Sequence, residues 1–70
     1  MQDIDRAVGE RIKTLRQKKG LTQDDLANRA GLNRVHLYRL ETGRQSMTLR
    51  TLKIIADALE VRAADVLKGV

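Results

Sequence analysis

Three side chains on one short stretch, Arg34, Val35 and Arg39 in NRVHLYRLETGR, have the chemistry to read the edge of a base pair. A guanidinium is a planar fork that donates two hydrogen bonds at once, and guanine offers O6 and N7 as paired acceptors in the major groove. Arg34 suits that contact. Val35 has no hydrogen bond to give, so its chemistry is apolar contact with a thymine methyl. Arg39 lies a little more than one helical turn beyond Arg34, within reach of another base or a phosphate. These residues are displayed outward, with Tyr38 beside them and His36 partly so, if Leu37 and Leu40 turn into a core. The Tyr38 hydroxyl can reach a phosphate, and its ring can equally pack on the scaffold. His36 is the single histidine and there is no cysteine. A zinc site needs three or four ligands, so no metal is expected, and His36 belongs on a helix surface beside a nucleic-acid backbone. Asp24 and Asp25 are adjacent and point apart on a helix, which gives a nuclease no paired carboxylates. No enzymatic activity and no cofactor are expected.

The elements that must position these groups lie between Leu21 and Arg44 and read as two short capped helices joined by a tight glycine turn. The first opens at Thr22, whose hydroxyl can cap the Asp25 N–H while the Asp25 carboxylate reaches back. It closes at Gly31, because a chain leaving a helix needs a left-handed residue and glycine takes that shape without a Cβ penalty. Asn33 caps the second helix, with Leu32 and Leu37 spaced as an apolar staple; Leu21 and Leu26 repeat that staple on the first. Ala27 is small enough to let the two backbones approach. Such a pair is a helix-turn-helix, with its second helix placed to enter the major groove.

The flanking segments are helical too. Ile4, Val8, Ile12 and Leu15 predict an amphipathic first helix over residues 4 to 19 with that stripe inward, ended by Gly20. Lys18 and Lys19 in its last turn suit both the helix dipole and a phosphate. The reading helix runs from about Asn33 to Thr42, closed by Gly43. Thr48 caps a fourth helix with Met47 and Leu52 as staple and Leu49, Leu52, Ile55, Ala56 and Leu59 as its buried face. A last short helix over Ala63 to Lys68 tucks Val66 and Leu67 beneath it. The expected fold is all-α, a compact five-helix bundle forming one domain over residues 1 to 70.

Composition agrees with an anionic partner. Fourteen Lys and Arg stand against nine Asp and Glu, a net charge of +5. Residues 11 to 19 carry Arg11, Lys13, Arg16, Lys18 and Lys19 with no acid, and Arg44, Arg50 and Lys53 follow later. Solvated helix faces are the other reading of such runs. Seventy residues hold one small core and leave no room for an enzyme cleft, so no small-molecule ligand is expected. Without cysteine, packing alone must supply stability. No apolar run approaches a membrane span, and the polar start MQDIDRAVGE is no signal peptide, which implies a cytoplasmic protein. Tyr38 is the single aromatic residue, so base-stacking platforms for single strands are missing and double-stranded DNA fits better.

Gln23, Ala27, Gly31, Leu37 and Leu40 at these intervals, followed by Glu41 and Gly43, resemble the helix-turn-helix of the phage repressor and Cro superfamily (XRE-type regulators). TLRQKKGLTQDDLA before the motif and TLRTLKIIADALEV after it are similar to that family as well, so the resemblance covers roughly residues 8 to 68. It implies an arginine–glutamate pair, Arg16 with Glu41, tying the first helix to the third; the residues alone permit two unrelated exposed charges. It implies a phosphate contact by Gln23, which the first turn of the second helix also favours. It adds weight to Arg39 as a base reader. Asn33 can contribute its side chain or free N–H groups, and Thr42, Gly43, Arg44 and Gln45 lie where the chain would meet the second strand's backbone, with Arg50 a further phosphate candidate. The sequence departs from the family at Glu60, where glycine is common: the turn there holds either a strained left-handed glutamate or another shape. It departs again at Ile54, an apolar residue off the buried stripe that could cover the fifth helix or a second subunit.

The resulting expectation is a sequence-specific DNA-binding transcriptional regulator, repressors being its familiar form, acting as a homodimer because one short helix reads few base pairs. Ile54 and Val61 are the candidate dimer contacts. The alternative is an antitoxin or adaptor that uses the same scaffold mainly to grip another protein.

Overall fold

The computed structural model describes residues 3–70, and among these the chain forms five helices and no strand: α1 (Ile4–Lys18), α2 (Gln23–Ala30), α3 (Arg34–Glu41), α4 (Leu49–Leu59) and α5 (Ala63–Leu67). Each start follows from local chemistry. The Asp3 carboxylate accepts from the Asp5 and Arg6 N–H groups at the head of α1. Thr22 and Asp25 form the reciprocal box, the Thr22 hydroxyl accepting from Asp25 N–H at 3.0 Å and the Asp25 carboxylate from Thr22 N–H at 2.9 Å. That bonding holds the Asp25 carboxyl below its ordinary value of 3.8, through the backbone N–H of Thr22 first and its hydroxyl second. Asn33 caps α3 by accepting from Val35 N–H at 2.7 Å, and Thr48 caps α4 by accepting from Thr51 N–H at 3.0 Å. At α5 the Asp65 carboxylate accepts from Arg62 N–H.

The α2 to α3 turn is made by Gly31 in the left-handed region at φ 67°, with Leu32 N–H reaching back to the Ala27 carbonyl at 2.8 Å. Glu60 resolves the question its sequence posed. It takes the left-handed conformation itself, φ 59° and ψ 40°, at the end of α4. For a residue with a Cβ that geometry costs about 1–2 kcal/mol.

Ile12, Leu26, Leu37, Leu40, Ile55, Leu59 and Val66 are fully buried at the centre. Burying each such side chain is worth about 1.5–3 kcal/mol. Around them α1 packs on α3 and α5, α2 on α3 and α4, and α4 on α5. Three residues expected inside are not there: Ile4 is 60%, Leu49 83% and Leu67 41% exposed. All three stand at helix ends, where the periodic face continues but the neighbouring helix does not. Ile4, Leu49 and Leu67 line, with Val8, Met47 and Leu52, a shallow groove of about 280 Å³. No helix among the described residues is long and apolar enough to cross a membrane.

The close approach of α1 to the end of α3 depends on Gly9. A Cβ at Gly9 would stand 2.2 Å from the Leu40 carbonyl oxygen and 2.7 Å from that of Glu41. Gly43, at φ 72°, sits against the backbone of Arg6 in the same way, with a Cβ position 2.7 Å from Arg6 Cα.

Candidate nucleic-acid interface

Since Leu37 and Leu40 are fixed in the core, the opposite face of α3 is presented to solvent, and Arg34, Val35, Tyr38 and Arg39 are all exposed on it. Val35 is 55% and Tyr38 45% exposed, so the tyrosine ring is not absorbed into the scaffold. The half-buried Gln23 side chain meets this face, and Gln23, Arg34, Val35 and Tyr38 line one shallow cleft of about 240 Å³. Arg34, from the first turn of α3, also stands 3.7 Å by its Nε from the Asp24 carboxylate of α2, a solvent-exposed pair. Exposed pairs of this kind add little stability. At that distance the two groups make no hydrogen bond, so the pair does not engage the donor fork that a guanine needs.

Several flanking residues use their polar groups within the chain. Asn33 lends its side-chain oxygen to the α3 cap and keeps its NH2 group. Thr42 donates its hydroxyl to the Tyr38 carbonyl at 2.8 Å, and Gly43 N–H donates to Leu40 at 3.3 Å. Gln45 Nε2 and His36 Nε2 are bonded at 3.2 Å, which places the half-buried histidine against the loop that leaves α3. The side chains of Arg44 and Arg50 are exposed, Arg44 on that loop and Arg50 in the first turn of α4. Among the described residues no group of three or more His, Cys, Asp or Glu side chains is arranged to hold a metal ion.

Behind the exposed face lies a buried ionic lock. Arg16 Nε and Nη2 donate to the two oxygens of Glu41 at 2.7 and 3.1 Å, and Arg16 Nη1 donates to the Leu21 carbonyl at 2.8 Å. Both residues are buried. The lock joins α1, the α1–α2 turn and the last residue of α3. Breaking such a pair from one side costs about 3–5 kcal/mol, because the remaining charge is left uncompensated. The Gln23 amide nitrogen also donates to Glu41, at 3.1 Å.

The fold that carries these parts is shared with known proteins. A family model described as a helix-turn-helix domain matches residues 7–67. The chain belongs to the phage repressor and Cro family of helix-turn-helix DNA-binding regulators. It is 41% identical over 59 residues to an uncharacterized HTH-type transcriptional regulator of Sinorhizobium fredii, covering 84% of this chain and 77% of that one. It is 40% identical over 57 residues to the immunity repressor protein of Bacillus phage phi105, covering 81% of this chain and 40% of that protein's length. Among solved structures, the restriction-modification controller protein C.AhdI of Aeromonas hydrophila superposes with a TM-score of 0.85 at 31% identity, over 87% of this chain and 92% of that one.

The helix-turn-helix family reading leaves two residues that sequence reasoning passed over. Gly9 was hidden because a glycine inside a helical pattern signals only a weakened helix until the opposing backbone is known, although its position inside α1 was the available clue. Asp24 was weighed only as half of a carboxylate pair, and its partner on α3 becomes visible once the turn is folded. The two candidate dimer contacts differ: Ile54 is 37% exposed, whereas Val61 is partly buried against the core.

Proposed function

We propose that this helix-turn-helix domain is a sequence-specific transcriptional regulator of double-stranded DNA, acting as a homodimer on a palindromic operator with α3 in the major groove. The observation that carries the reading is the exposed row Arg34, Val35, Tyr38 and Arg39 on a helix whose other face is locked into the core. A rigid helix with a free polar face can hold side chains against base edges without reordering itself. In this reading Arg34 and Arg39 bind bases and Val35 meets a thymine methyl, while Asn33, His36 and Tyr38 work at the border of base and backbone. Gln23, Arg44 and Arg50 take phosphates. Thr42, Gly43 and Gln45, whose donors are engaged inside the chain, shape the loop that brings Arg44 to the backbone, Gln45 keeping one N–H for a phosphate.

Eight residues of α3 read only a few base pairs, so two copies one DNA turn apart, about 34 Å, are needed for a unique site. The exposed Ile54 on α4 is the centre of the proposed two-fold contact, with Val61 at its edge. Ile54→Glu places one charge on each side of the axis. Sedimentation should shift towards monomer, circular dichroism should stay helical, and affinity for a full palindrome should fall much more than for a half-site. A variant that remains dimeric with unchanged palindrome binding places the interface elsewhere.

A further inference from the structure

The carboxylate of Glu41 does more than neutralise Arg16. Its Oε2 accepts from Arg16 Nε, and its Oε1 accepts twice, from Arg16 Nη2 and from Gln23 Nε2, each at 3.1 Å. Glu41 is 2% exposed and Arg16 7%, so this acceptor sits in a buried, bidentate frame that cannot rotate freely. Gln23 is half-buried and lines the solvent cleft it shares with Arg34, Val35 and Tyr38. A carboxamide nitrogen carries two N–H groups. With one held by an anionic acceptor, the plane of the amide is set, its nitrogen rather than its oxygen is turned to the lock, and the second N–H has a defined direction. A free glutamine on a helix surface has none of these properties, since it exchanges among several rotamers and its terminal torsion is broad.

We propose that Glu41 is a positioning residue for backbone recognition: it holds the Gln23 carboxamide so that the remaining N–H is presented to a DNA phosphate, and the pair that docks α1 on α3 thereby also sets the phosphate contact of α2. This rests on the reading of Gln23 as a phosphate ligand. It makes that contact depend on the seating of α3, so that the backbone grip is in register only when the reading helix is in place.

The test is a double-mutant cycle on binding to a mixed-sequence DNA duplex, with Gln23→Ala, the apolar replacement Arg16→Met with Glu41→Leu, and all three together. Replacing both charges leaves no uncompensated ion in the core, which favours a folded product. Gln23→Ala should weaken binding about five-fold, the scale of one hydrogen bond. The apolar replacement should do the same in the parent chain and almost nothing in the Gln23→Ala background. Equal losses in both backgrounds would mean that the lock acts through the scaffold alone and would overturn the proposal. An unchanged affinity for Gln23→Ala would remove the phosphate reading itself, and the proposal with it. A measurement on the parent chain decides the matter even if the replaced core does not fold. The two side-chain amide protons of Gln23, which resonate separately in any carboxamide, should differ in behaviour: one protected from exchange with water and insensitive to DNA, the other shifting as duplex is added. Two protons that exchange equally fast with water and respond alike to DNA would contradict a held carboxamide.

Discussion

Replacing Gly9 by alanine sets two well-defined effects against each other. In an exposed helix the change would stabilise by about 1 kcal/mol, through better helix propensity and a less flexible unfolded chain. Here the new Cβ would lie 2.2 Å from the Leu40 oxygen, 2.7 Å from the Glu41 oxygen and 2.9 Å from the Glu41 carbonyl carbon. Ordinary contact begins near 3.4 Å, so α1 and the end of α3 would have to part by roughly an ångström. The obstructing atoms are backbone, with no side chain to swing away. Two of the three belong to Glu41, the residue that holds the Arg16 lock, so the displacement would loosen a pair whose short bond is 2.7 Å. Overpacking of this kind costs about 1–3 kcal/mol, and the strained lock adds to it, so Gly9→Ala should destabilise by about 2 kcal/mol net of the propensity gain. For a domain of this size that lowers Tm by roughly 8–16 °C. Urea and thermal unfolding would measure it, and affinity for DNA should fall beyond the loss of folded protein, because α3 moves with its last turn. A Gly9→Ala chain as stable as the parent, or more stable, would show that α1 does not approach α3 as described.

Three other outcomes follow from single contacts. Arg34→Ala should lose about 1–3 kcal/mol on the preferred duplex and relax the preference at one position of each half-site; equal weakening on every sequence would reassign Arg34 to phosphate. Glu60→Gly should raise stability by about 0.5–1 kcal/mol in urea unfolding, since the left-handed strain at φ 59° exceeds the added freedom of the unfolded glycine. Asp25→Asn should be less stable than the parent at neutral pH. Because the Asp25 carboxyl is held below 3.8 in the folded chain, its contribution is present above 3.8 and fades as pH falls through the lower folded value, so the difference in Tm between the two proteins should shrink on acidification.

The parts of the fold legible in the sequence are those whose cause lies within a few residues. Thr22 with Asp25, Asn33 and Thr48 cap their helices because the capping group and its N–H are two or three positions apart. Gly31 is similarly local. The placement of Leu37 and Leu40 inside, and hence of Arg34, Val35, Tyr38 and Arg39 outside, follows from one helical period. Ile4, Leu49 and Leu67 were misplaced because periodicity gives the direction of a face and says nothing about whether another helix extends far enough to cover it. Gln23 looked like a free amide from its place in the first turn of α2. Its bond to Glu41, eighteen positions away, exists only once α3 has folded back beside it. The same holds for His36 with Gln45 and Asp24 with Arg34, pairs that turn geometry brings together and that no spacing rule announces.

The central claim, that two copies of this domain read a symmetric site through α3, is tested most directly by selecting bound duplexes from a random-sequence pool and sequencing them. The expected result is an inverted repeat with half-site centres about one helical turn apart, and with a guanine in each half-site that loses its preference when Arg34→Ala is used for the selection. A pool that shows no enrichment, or an enriched site without two-fold symmetry, would contradict it.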